Sequence, residues 1–114
     1  MATHTTRTVE PGITVVEISG SLQVGKNLAA TETALHALIK EGARKMVVDL
    51  SGLEHIDSSG LGMLTGCRTE MSEAGGHFRL AGATGPIGRI FGVIHMDEII
   101  PVDADVAAAC LALQ

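Results

Sequence analysis

The chain has no tryptophan and no tyrosine, and it has only two phenylalanines. Aromatic side chains are the platforms on which proteins stack the bases of single-stranded nucleic acids. Basic residues are also scarce, because 8 Lys and Arg stand against 13 Asp and Glu and give a formal net charge of -5. A negatively charged protein repels phosphate backbones. We therefore expect no nucleic-acid partner.

Long apolar segments are missing as well. No apolar run reaches the roughly 18 to 20 residues that a membrane-spanning helix needs, and the first ten residues (MATHTTRTVE) lack the apolar stretch of a secretory signal. The only cysteines, Cys67 and Cys110, have neither CxxC spacing nor the density of a disulfide scaffold. The expectation is a cytoplasmic protein with two reduced, buried thiols and no membrane insertion.

Metal-binding patterns are also lacking. The five histidines fall singly along the chain, with no pair spaced four residues apart: His4, His36, His55, His77 and His95. With 114 residues, of which 46% are hydrophobic, the chain has enough apolar material for one core and little room for a second. The prediction is a single domain over residues 1–114, without a metal or a cofactor.

Strand and helix patterns alternate along the chain. Strands are predicted at residues 13–19, 45–50, 77–82 and 99–102, with a weaker extended stretch before Pro11-Gly12. Apolar residues at helical spacing predict helices over residues 26–41, 57–76, 87–94 and 106–113. The order β-β-α-β-α-β-α-β-α indicates an α/β fold, in which helices cover a mostly parallel sheet that has an antiparallel N-terminal edge strand.

Polar and glycine residues concentrate where the second of these helices begins. Asp57 and Ser58 are favoured helix N-caps, because their side-chain oxygens accept hydrogen bonds from the unpaired amides of the first turn. Gly60 and Gly62 weaken a helix but allow another backbone or a protein surface to come close. The pattern favours a contact surface at this junction.

These residues resemble a known family. Residues 48–53 (VDLSGL) and 56–62 (IDSSGLG) are similar to the signature of the STAS-domain anti-sigma factor antagonists. The resemblance continues through Gly75-Gly76, through Arg79-Leu80, and through Pro86, Arg89, Phe91 and Ile99. Only the first ten residues lie outside it, so the resemblance implies a STAS-like fold for nearly the whole chain.

The resemblance also implies a function and a set of partners. In that family the first serine after the aspartate, here Ser58, is phosphorylated by a serine kinase that doubles as the anti-sigma factor. The unmodified protein binds this kinase and frees a sigma factor, and a serine phosphatase reverses the modification. The protein itself would not be an enzyme. The implied partner-binding residues are Asp57, Ser58, Ser59, Gly60, Leu61, Gly62 and Gln23, the last where relatives often carry an acidic residue.

Alternative functions remain open from the sequence. Residues 20–26 (GSLQVGK) fit the phosphate-binding pattern G-x-x-x-x-G-K from Gly20 to Lys26, although Asn27 replaces the magnesium-binding Ser or Thr. A serine hydrolase using Ser58 or Ser59 is disfavoured, because the glycine that a G-x-S-x-G motif requires before the serine is absent. Within the family, a signalling scaffold or a lipid-transport subunit would bind different partners.

Overall fold

The computed structural model of the chain describes residues 3–25 and 28–114. The strands are β1 (Thr3–Val9), β2 (Ile13–Leu22), β3 (Lys45–Ile56), β4 (His77–Ala81) and β5 (Val102–Asp103). The helices are α1 (Leu28–Lys40), α2 (Ser58–Glu73), α3 (Gly85–Val93) and α4 (Val106–Ala112), with a 3-10 turn at Met96–Glu98. The strands form one five-stranded sheet in the order of their numbers.

The direction of the strands matches the prediction. β1 pairs with β2 antiparallel, whereas the β2–β3, β3–β4 and β4–β5 pairs are parallel. Parallel neighbours require crossover connections, and the intervening helices supply them. The predicted α/β class and element order are therefore confirmed.

Helices cover both faces of the sheet, which explains the nearly continuous apolar runs in β2 and β3. Alternate strand residues point to opposite faces. Val16 and Val48 pack with α1, α2 and α3 in the larger core cluster, whereas Val15 and Val47 pack in a smaller cluster against α4. Both predicted thiols are buried and unbonded to each other, Cys67 in the first cluster and Cys110 in the second.

Two strands extend beyond their predicted ends. β2 continues through Gly20 to Leu22, and β3 continues six residues past Leu50 to Ile56. Register shifts follow Glu17 and Gly20 in the pairing between these strands, and such irregularities are where a strand tolerates glycine. Glycine and serine therefore mark a bulged part of the sheet here, where the sequence pattern predicted an end.

The last strand lies later than predicted. Residues 99–102 were the expected strand, but Ile99 and Ile100 close the 3-10 turn, because their amides donate to the carbonyl of Met96. An ion pair also joins β5 to β4, in which Arg79 Nε lies 2.7 Å from Asp103 Oδ2.

No helix among the described residues is long and apolar enough to cross a membrane.

Candidate functional site

The junction between β3 and α2 presents a serine at the start of a helix. Asp57 is the N-cap of α2 in an extended conformation, and its Oδ1 accepts a 2.8 Å hydrogen bond from the Gly60 amide. Ser58 is the first helical residue, and both Ser58 and Ser59 are exposed. The predicted helix start is confirmed, with Asp57 as the cap.

Asp57 also binds the turn after β2 to this junction. Its Oδ2 accepts a 3.0 Å hydrogen bond from the amide of Val24, which lies in the turn after β2. The Asp57 amide in turn donates to the carbonyl of Leu22 at 3.4 Å. The carboxylate therefore connects the loop before α1 to the first turn of α2, a contact that the sequence did not predict.

The hydrogen bonds to Asp57 also affect its titration. Donation from the amides of Gly60 and Val24 holds the pKa of Asp57 below its ordinary value of 3.8, because amide donors favour the ionised carboxylate. A carboxylate with a lowered pKa in the folded state stabilises the fold above its unfolded pKa. That contribution is lost as the pH falls through the folded pKa.

Asp57→Asn tests this contribution. We expect wild type to be more stable than the variant near neutral pH, and the difference between them to shrink as the pH drops below 3.8. Urea unfolding of both proteins at a series of pH values measures it. A difference that stayed constant down to about pH 2 would contradict the role given to the ionised carboxylate.

The two glycines of the motif serve different purposes. Gly60 is buried, and a Cβ there would lie 2.4 Å from the carbonyl oxygen of Leu22 and 2.8 Å from Ile56 Cγ1. A Cβ on Gly62 would meet no atom within 4 Å, and Gly62 is exposed. The close approach expected at Gly60 is thus made inside the domain, whereas the backbone of Gly62 is open to a partner.

The exposed residues at this junction form a small surface, which we call the α2 entry surface: Val24, Ser58, Ser59 and Gly62. Val24 is 68% exposed, an unusual state for a large apolar side chain. Its neighbour Gln23 is half-buried, as are Asp57 and Leu61. Val24 is the residue that sequence reasoning missed, and the only available signal was an apolar side chain inside a predicted turn.

The predicted phosphate-loop pattern falls on a different conformation. Gly20, Ser21 and Leu22 lie in β2, where they pair in register with residues of β3. In a phosphate loop the backbone after the strand is not paired in the sheet, and its successive amides point at the ligand. Lys26 and Asn27 lie outside the described residues. The geometry of residues 20–22 is that of a paired strand and not that of a phosphate loop.

Comparison with known proteins gives the family. The STAS domain family matches residues 4–109. The anti-sigma-B factor antagonist of Staphylococcus aureus (strain NCTC 8325 / PS 47) is 25% identical over 88 residues, which cover 77% of this chain and 81% of the relative. The chain belongs to the STAS domain family, as its sequence motifs predicted.

Solved structures agree with this assignment. An anti-sigma factor antagonist from Mycobacterium paratuberculosis superposes with a TM-score of 0.88 at 25% identity, covering 99% of this chain and 94% of that one. The Bacillus cell fate determinant SpoIIAA in its phosphorylated form gives a TM-score of 0.75 at 18% identity, covering 98% of this chain and all of SpoIIAA. The second likeness establishes a shared fold alone.

Proposed function

We propose that this chain is an anti-sigma factor antagonist that works by partner switching. In its unmodified form, residues 1–114 act as one domain that binds an anti-sigma factor with serine kinase activity, and a sigma factor is thereby released. Phosphorylation of Ser58 breaks this complex, and a serine phosphatase restores it. The domain acts as a cytoplasmic regulator and not as an enzyme.

The position of Ser58 is the observation that carries the proposal. Its side chain is exposed at the first position of α2, so a kinase has access to the hydroxyl. Val24 and Gly62 lie on the same α2 entry surface and offer an exposed apolar side chain and an open stretch of backbone. A partner that covers this surface would also cover Ser58.

Phosphorylation at this position acts on binding more strongly than on folding. A phosphate adds about -1.5 to -2 charges and three acceptor oxygens. At the N-terminus of α2 the helix dipole stabilises such an anion by roughly 0.3 to 1 kcal/mol, whereas burial of the unpaired anion in an interface costs several kcal/mol. The modified domain therefore stays folded and loses its partner.

Similarities to other proteins also support the proposal, independently of the geometry of the site. The relatives from Staphylococcus aureus and Mycobacterium paratuberculosis are anti-sigma factor antagonists. SpoIIAA, which shares the fold, has been solved in a phosphorylated form, so the fold is compatible with phosphorylation of one of its members. The partner-binding set of Asp57, Ser58, Ser59, Gly60, Leu61, Gly62 and Gln23 follows from the family motif. Within it, the buried Gly60 acts by placing the others.

Mass spectrometry of the protein isolated from its native host tests the switch directly. We expect one phosphate that fragmentation places on Ser58 and that a serine phosphatase removes. Ser58→Ala is expected to abolish the modification and to keep binding of the anti-sigma factor, because alanine leaves the surface uncharged. Ser59→Ala is the matched control, since Ser59 is also exposed one residue further along α2.

The result on Ser59 separates the possible outcomes. Phosphate that persists in Ser58→Ala and disappears in Ser59→Ala would move the switch to the second serine. Reproducible absence of phosphate under several growth conditions would overturn the switch and favour a constitutive scaffold subunit.

A further inference from the structure

Asp49 is a buried carboxylate in the middle of β3. Among the described residues it is the one charged residue that is buried, with 8% of its surface exposed. Its Oδ1 accepts a 3.0 Å hydrogen bond from the Ser51 amide, and no ion pair in the described part of the chain includes it. The carboxylate is thus held in place by the backbone and is available to pair with a positively charged ligand.

This carboxylate lines a cleft of about 460 Å³ on the α4 face of the sheet. The cleft lies beside the carboxyl ends of β4 and β5, at Gly82 and Ala104, and beside the middle of β3. Gly82 helps to keep the carboxylate accessible, because a Cβ there would lie 3.1 Å from Asp49 Oδ1. The volume is within the range of small-molecule sites, roughly 300 to 1,000 Å³.

The polar groups around the cleft select a cation. Asp49 and Asp105 are its acidic lining residues, Ser51 and Thr84 contribute hydroxyls, and Arg7 is its only basic lining residue. Glu17 does not line the cleft, but it pairs in register with Asp49 from the neighbouring strand β2 and so adds a negative charge beside it. Among these lining residues two carboxylates face one guanidinium, so an anion is disfavoured and an N–H-rich cation would find partners.

We propose that this cleft binds a small organic cation, a metabolite with an ammonium or guanidinium group, and that Asp49 is its anchor. The cationic group pairs with the buried carboxylate, while the hydroxyls of Ser51 and Thr84 accept its remaining hydrogen bonds. The site does not depend on phosphorylation of Ser58. It lies on the opposite face of the sheet from α2, so the two sites are separable by experiment.

A titration with agmatine, which carries both cationic groups, tests the proposal. We expect the amide NMR signals of Asp49, Ser51, Gly82 and Thr84 to shift in a saturable manner, and 1,4-butanediol, a neutral molecule with a similar carbon chain, to leave them in place. Asp49→Asn is expected to weaken agmatine binding at least tenfold. The asparagine oxygen still accepts from the Ser51 amide, so the local turn is retained.

Two further variants keep the test decisive. Asp97→Asn removes one exposed carboxylate outside the cleft and is expected to bind agmatine as wild type does. Ser51→Arg places a tethered guanidinium at the cleft and is expected to block binding even if Asp49→Asn fails to fold. Unsaturable shifts, shifts at other residues, or equal binding by wild type and Ser51→Arg would overturn the proposal.

Discussion

Ser58→Asp is expected to lower the affinity for the anti-sigma factor about a thousandfold while the domain remains folded. The substitution places a permanent negative charge at the centre of the α2 entry surface. Burying a charge without a partner in an interface costs several kcal/mol, and a loss of about 4 kcal/mol corresponds to this change in affinity. Calorimetric titration of the anti-sigma factor with each protein measures it.

The folding stability of the domain should change little in Ser58→Asp. An acidic side chain in the first turn of a helix is favourable by roughly 0.3 to 1 kcal/mol, although the neighbouring Asp57 carboxylate opposes part of this gain. The circular dichroism spectrum should therefore match wild type, and the urea midpoint should move little. A weakened complex with an unchanged fold is the result that distinguishes a switch from simple damage.

Ala108→Asp is the matched control for this experiment. Ala108 is exposed in the first turn of α4, so the new carboxylate has the same charge and a similar place in a helix. α4 packs on the other face of the sheet, away from the α2 entry surface. If Ala108→Asp weakened the complex as much as Ser58→Asp, net charge and not position would control binding. Wild-type affinity of Ser58→Asp would contradict the switch.

The sequence predicted the core of the candidate site because helix capping is local. An aspartate followed by serines and then by apolar residues at helical spacing fixes where α2 begins without reference to the rest of the fold. The bond from the Val24 amide to Asp57 joins residues 33 positions apart. No pattern of period two or 3.6 contains such a contact, so Val24 was missed.

The strand ends were harder to predict than the strands themselves. The sequence pattern predicts β3 only over residues 45–50, and the Ser51 and Gly52 that follow are residue types that usually favour turns. Tertiary pairing overrides this preference, since Gly52 lies opposite Ser19 of β2 and Leu53 lies opposite Gly20. A Cβ on Gly52 would lie 2.9 Å from Ser19 Cβ. The glycine is thus required by a neighbouring strand whose register the sequence does not reveal.

The extended ends of β2 and β3 are also what place the α2 entry surface. Leu22 ends β2 beside Ile56 at the end of β3, and the next residue, Asp57, caps α2 and holds the turn after β2. Both segments of the surface are therefore held at the carboxyl ends of two neighbouring strands, β2 and β3. A partner would meet Val24 and Ser58 already in position, which reduces the ordering cost of binding.

Gly60→Ala should lower the stability of the domain more than an added methyl group at any other position of the motif. The new Cβ would lie 2.4 Å from the carbonyl oxygen of Leu22 and 2.8 Å from Ile56 Cγ1. The first atom belongs to the backbone of a buried strand, which cannot rotate away. Overpacking of this kind costs about 1 to 3 kcal/mol, and the better helix propensity of alanine returns only part of it, up to about 1 kcal/mol.

Gly62→Ala is the matched control on the same helix and should change stability in the opposite direction. No atom within 4 Å opposes its Cβ, so the helix gains roughly 0.5 to 1 kcal/mol from the loss of a flexible residue. Urea unfolding of the two variants therefore tests whether the glycines have different purposes. If both variants were stabilised, the contact between α2 and the end of β2 would be looser than these distances require. If Gly62→Ala were more stable and yet bound the anti-sigma factor more weakly, Gly62 would lie under the partner.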